Sequence, residues 1–117
     1  MKTFKTDIFP FAICIAEVKE MEKVKESFTD ESGEEISFPK GARGVVCRAL
    51  SKDFKIAHSL IVVNKEYATF GTAAHGANHS ACDLLENIGV PRCFQTEEVY
   101  SYVIGFIAQK IYETIWE

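Results

Sequence analysis

No stretch of this sequence stays apolar long enough to cross a bilayer. The longest run near the start, Ile8 to Ala16, stops at Glu17-Val18-Lys19-Glu20, well short of the roughly 20 residues a spanning helix needs. That charged exit also takes the place of the small-residue cleavage site of a secretory leader. No cysteine stands in a CxxC pair. Cys14, Cys47, Cys82 and Cys93 are scattered, and the first three adjoin alanine, valine or isoleucine, which describes reduced thiols rather than a disulfide framework. Basic charge is in short supply: 13 Lys and Arg against 17 Asp and Glu leave a net charge of −4, so the chain as a whole repels nucleic acid and anionic membranes. Repeats, low-complexity tracts and linkers are missing as well. What remains is 117 residues, 47% hydrophobic and 26% charged, enough to bury one core without staples and too ordinary in composition to be disordered. The expectation is a single globular domain, residues 1–117, cytoplasmic, with neither a nucleic-acid nor a membrane partner.

Hydrophobic patterning divides the chain into elements. Ile8 to Ala16 is apolar on both faces and reads as a strand covered on both sides, with Pro10 near its beginning. Residues 17 to 35 carry eight acidic and three basic side chains. Val18, Met21 and Val24 could stripe a charged helix there. Alternatively, Val24 and Phe28 face Ile36 and Phe38 across a hairpin turned at Asp30-Glu31-Ser32-Gly33, and Gly33 favours this second reading. Pro39-Lys40-Gly41 is a turn. Gly44 to Leu50 and Phe54 to Val63 read as strands, and a break at Asn64-Lys65-Glu66 lets Tyr67 to Thr72 return antiparallel.

Two helices are expected to follow. The first spans about His79 to Ile88, capped by Asn78 or Ser80, with Ser80 and Asp83 at capping-box spacing and Gly89 and Pro91 ending it. The second spans about Glu97 to Trp116 behind Thr96. Its apolar residues form one broad face of Val99, Val103, Phe106, Ile107, Ile111 and Ile115, and a neighbouring one of Tyr100, Ile104, Ala108 and Tyr112. A sheet covers only one face, so the surplus points to a homo-oligomer formed through this helix. The fold class expected is α+β: an antiparallel sheet of about five or six strands with two C-terminal helices packed on one face.

The chemistry centres on Gly71-Thr72-Ala73-Ala74-His75-Gly76-Ala77-Asn78, read as a loop of small residues feeding a helix N-terminus. Backbone N–H groups at such an end attract phosphate or carboxylate, and glycine lets a ligand approach the main chain. Residues 36 to 66 hold six basic and two acidic side chains, a positive region in an acidic protein, and arginine matches phosphate and carboxylate oxygens in a planar fork. The expected ligand set is therefore Arg43, Arg48, Phe70, Gly71, Thr72, His75, Gly76, Asn78, His79 and Arg92, with Phe70 and Tyr67 as stacking aromatics. The ligand would be an anionic small molecule, a nucleotide being the natural example.

Neither a Walker A sequence nor a GxGxxG fingerprint is present, and no cofactor is implied. His75, His79, Cys82 and Asp83 are the right ligand types for zinc, but a cap at Asn78 would leave His75 in the loop, so no metal is assigned. Cys82 beside Asp83 makes a poor thiolate, and no catalytic residue is named. Two rival readings stand beside the ligand-binding one. One is an acidic protein-interaction module, of inhibitor or immunity type, that masks a basic protein partner with residues 17–35. The other is a small metal- or cysteine-dependent hydrolase.

Overall fold

Alternation within two strands, each buried but for one end residue, organises the molecule. The structure, a computed structural model, describes residues 1–5 and 12–117, so residues 8–11 of the expected first long strand lie outside the described residues. Five strands form one sheet: β1 (Lys2–Lys5), β2 (Ala12–Glu17), β3 (Phe28–Asp30), β4 (Gly44–Ser51) and β5 (Ala57–Val63), in the order β1-β2-β5-β4-β3. The side chains of β2 and β5 alternate between two cores. Ile13, Ile15, Ile61 and Val63 join one buried cluster, and Cys14, Ala16, Leu60 and Val62 join the other. The apolar, both-faced composition of Ala12 to Ala16 follows from this central position.

The sheet is mixed, which corrects the antiparallel expectation. β1 with β2, β3 with β4, and β4 with β5 are antiparallel, but β2 and β5 run parallel, Ala12 opposite His58 and Glu17 opposite Val63. After β2 the chain makes a 3-10 turn at Val18–Glu20 and then a helix, α1 (Met21–Ser27). That crossover lets β3 start again in the direction of β2. The β3–β4–β5 meander then brings β5 back parallel to β2. Both readings of residues 17–35 thus hold in part. The first half is helical, while the hairpin turn does form at Asp30–Gly33, with Gly33 at φ +88° and a bridge between Thr29 and Glu35. Val24, Phe28 and Ile36 meet in the second core, with Phe38 packed against it. The β1 strand was not anticipated; its Lys2 and Lys5 are exposed at the sheet edge, where charge discourages further pairing.

The largest correction concerns residues 67–79. Tyr67 to Thr72 is not a strand, and the segment through Asn78 is not a loop. Asn64 to Ala68 is a turn in which the Tyr67 and Ala68 amides donate to the Asn64 carbonyl. An 18-residue helix, α2 (Phe70–Asn87), follows it directly. Thr69 is its cap: the Thr69 Oγ1 accepts from the Thr72 amide at 3.3 Å while the Thr72 Oγ1 accepts from the Thr69 amide at 3.1 Å. Ser80 is accordingly no cap but a fully buried residue whose hydroxyl meets that of Ser59 at 2.6 Å. The end of α2 is as expected, with Gly89 at φ +83°.

The last helix, α3 (Glu97–Trp116), has the expected bounds. Its buried stripe is Tyr100, Ile107, Ile111 and Ile115, and one cluster joins the three isoleucines to Ala73, Ala77, Ala81 and Leu84 of α2 and to Ile13, Ile15, Ile61 and Val63 of the sheet. Tyr100 is buried because its hydroxyl finds the Val90 carbonyl at 2.6 Å. Val99 and Phe106, expected inside, are exposed instead. Thr96 does not cap with its side chain; its hydroxyl donates to the Pro91 carbonyl. Among the described residues no helix is long and apolar enough to cross a membrane.

Candidate functional site

Small residues let α2 approach the sheet, and the site results from that closeness. Ala73, Gly76 and Ala77 are buried on its inner face. A β-carbon at Gly76 would stand 3.5 Å from Val46 Cγ2, and one at Gly44 would stand 3.3 Å from Thr72 Cγ2. Beside this contact the start of β4 and the N-terminal half of α2 border a cleft of about 950 Å³. Arg43, Gly44, Val46 and Arg48 line it from the strand; Thr69, Gly71, Thr72, His75, Gly76, His79 and Asp83 line it from the helix, with Glu31 at the rim.

Charge is graded along the cleft. At one end Arg43 is exposed, has no ion pair among the described residues, and shares the cleft with the first turn of α2, where the helix dipole is positive. At the other end Arg48 donates to Asp83 Oδ1 at 2.6 Å and lies 3.6 Å from Glu31 Oε2. The hydrogen bond to Asp83, reinforced by the charges of Asp83 and Glu31, raises the Arg48 pKa above its ordinary value. Arg48 is thus a structural tie between β4 and α2, its charge already met by carboxylates. Between the two ends stand His75 and His79. Both are helical and on one face of α2, with Nε2 atoms 3.0 Å apart, so His75 does not lie in a loop apart from His79.

Four expected residues, Phe70, Asn78, Arg92 and Tyr67, lie elsewhere. Phe70 is exposed and stacks on Tyr112, centroids 5.6 Å apart. Arg92 donates to Asn78 Oδ1 at 2.7 Å and to Cys82 Sγ at 3.3 Å, and its guanidinium lies over the Tyr100 ring. Arg92 and Asn78 together fasten the segment after α2 to that helix. Tyr67 is exposed and does not line the cleft. Sequence reasoning missed Thr69, whose spacing from Thr72 was the available signal for the helix start.

The remaining reactive groups are dispersed. All four cysteines are free; burial raises the thiol pKa of Cys14 and Cys47, while a hydrogen bond with Thr96 lowers that of exposed Cys93. His58 is buried, its Nδ1 2.9 Å from the Ile56 carbonyl and its ring edge-on to Phe28. No cluster of three or more His, Cys, Asp or Glu suited to a metal occurs among the described residues. Comparison with family models, with curated proteins and with solved structures returns no match. The functional reading therefore rests on the geometry of the cleft.

Proposed function

We propose that the protein binds a small anionic molecule, a nucleotide being the natural example, in the cleft between β4 and α2, holding it without chemical conversion. The observation that carries this reading is Arg43, free of carboxylate partners among the described residues, beside the first turn of α2 in a cleft of about 950 Å³. A guanidinium and a helix N-terminus favour the same ligand charge. The volume lies within the range of small-molecule sites. His75, His79 and Thr72 supply further polar contacts along the cleft. Isothermal titration calorimetry against a panel of nucleotides and inorganic phosphate tests it. Arg43→Ala should weaken binding roughly tenfold or more, since a charge-assisted hydrogen bond contributes about 1.5–3 kcal/mol. Arg92→Ala should leave affinity unchanged, because Arg92 lies outside the cleft. Absence of binding by the wild type across the panel ends this reading.

The reading includes a homo-oligomer formed through α3, by a different face from the one expected. Ile104 packs against the core, and Tyr112 joins Phe70 and Trp116 in a three-ring cluster. An apolar groove of about 720 Å³ lies instead where Val99, Tyr102, Val103 and Phe106 of α3 meet Ile88 and Val90. Tyr102 is 80% exposed there. Patches of this kind mark interfaces. The acidic-module rival draws less support, since Glu20 already pairs with Lys23 and the chain's amino terminus, and Glu35 with Lys25.

A further inference from the structure

We infer that His75 and His79 form a two-histidine site for a first-row transition-metal dication of the zinc, copper or nickel class, open to the cleft. The two residues stand one turn apart on α2, both exposed, with their Nε2 atoms converging to 3.0 Å. Two metal–imidazole bonds of about 2.0–2.1 Å span about 2.9 Å when they meet at a right angle and about 3.3 Å at the tetrahedral angle. The observed separation falls within that span, so one cation bridges both nitrogens without a change of backbone. Imidazole nitrogen is a ligand these ions prefer, where magnesium and calcium prefer oxygen. The scaffold is rigid on the opposite face, where Ala73, Ala77 and Ser80 are buried, so binding orders little that is not ordered already.

The competing occupant is a proton. Without metal, one ring donates its Nε2–H to the Nε2 lone pair of the other; the cation replaces that hydrogen bond as the donor ring moves its proton to Nδ1, which frees both Nε2 lone pairs for the ion. Asp83, one turn further along α2, is held by Arg48 at 2.6 Å and is not a third ligand. The protein thus supplies two bonds, and water or a ligand in the cleft supplies the rest. The site stands independently of the anion reading, because the metal alone is the probe.

Zn²⁺, Ni²⁺ and Cu²⁺ are titrated separately into the untagged protein by calorimetry, with histidine-ring NMR followed during the zinc titration. The expected result is saturable binding of one ion per chain, tightest for Cu²⁺. The Nε2 resonances of His75 and His79 should move together while those of His58 stay in place. His75→Ala and His79→Ala should each abolish the event; both side chains are exposed, and circular dichroism verifies the fold. Binding that survives in the double variant overturns the inference, as does a zinc response confined to one ring. So does the absence of one-to-one binding by the wild type with any of the three ions.

Discussion

Gly105 stands on the outer side of α3 with nothing within 4 Å of where a side chain would begin. Its only effect there is to loosen the helix. Gly105→Ala should raise stability by about 0.5–1 kcal/mol, read as a higher urea midpoint with an unchanged slope. Gly76 is a different case. It is helical and faces Val46 Cγ2, so alanine fits at ordinary contact, while the branched carbons of Gly76→Val would overpack the junction at a cost of about 1–3 kcal/mol. A loss of ligand binding in Gly76→Val would therefore report on packing as much as on the cleft. Asp30 offers a pH-dependent test. The Ser32 hydroxyl, together with the Glu34 and Ser32 amides, holds its carboxyl below the usual carboxylate range. Because the folded value is depressed, the stabilisation of this turn is complete above the ordinary aspartate value of about 3.9 and is lost as pH falls through the lower folded one. The Ser32 and Glu34 amide shifts should titrate with a midpoint below that of a free aspartate; a midpoint at or above it would show that the turn does not favour the charged form.

Helix α2 shows how far the sequence reaches at the level of elements. Its C-terminus was legible from Gly89 and Pro91; of the stripe Ala81, Leu84, Leu85 and Ile88 that the spacing predicts, the first three are buried, while Ile88, at the C-cap, is exposed. Its start was displaced by nine residues because Gly71, Gly76 and the surrounding alanines resemble a loop. In the folded chain those same small residues permit the helix to lie close against β4 and β5, a tertiary reason that local propensity does not contain. The same displacement changed the site. The residues assigned to an exposed loop form a helical wall, and Arg48 proved to be neutralised by carboxylates distant in sequence. By contrast α3, with its acidic first turn and long apolar stripe, kept the expected bounds. The buried pair between α2 and β5 gives the element-scale prediction. Ser80→Ala should strand the Ser59 hydroxyl, which is 1% exposed, at a cost of roughly 1–3 kcal/mol. Removing both hydroxyls should recover part of that loss. A double-mutant cycle in urea measures the coupling, and a coupling of zero would mean the two hydroxyls do not depend on each other.

At the scale of the whole molecule the question is assembly. Replacing Ile104 and Tyr112 by charged residues would attack the core cluster and the aromatic stack, so unfolding is the expected outcome of that pair. Tyr102→Glu combined with Phe106→Glu alters the exposed groove instead and should yield a folded monomer, with sedimentation velocity reporting the change from a wild-type dimer. A wild type already monomeric at high concentration would end the proposal for this face.

The parallel pairing of β2 with β5 also orders events in time. Ala12 opposes His58 across a closed loop that contains α1, β3 and β4, so the innermost contact of the sheet is among the most distant along the chain. The β4–β5 hairpin closes locally and requires no such search, and contacts of long separation carry the larger entropic penalty. β2 is synthesised before β5, and although β1 can pair with one of its edges locally, its other edge waits until the meander provides a strand to receive it. Pulse-labelled hydrogen exchange should find the amides of Val46 to Leu50 protected before those of Ile13 to Ala16. During that interval the exposed strand is the part of the molecule most open to aggregation.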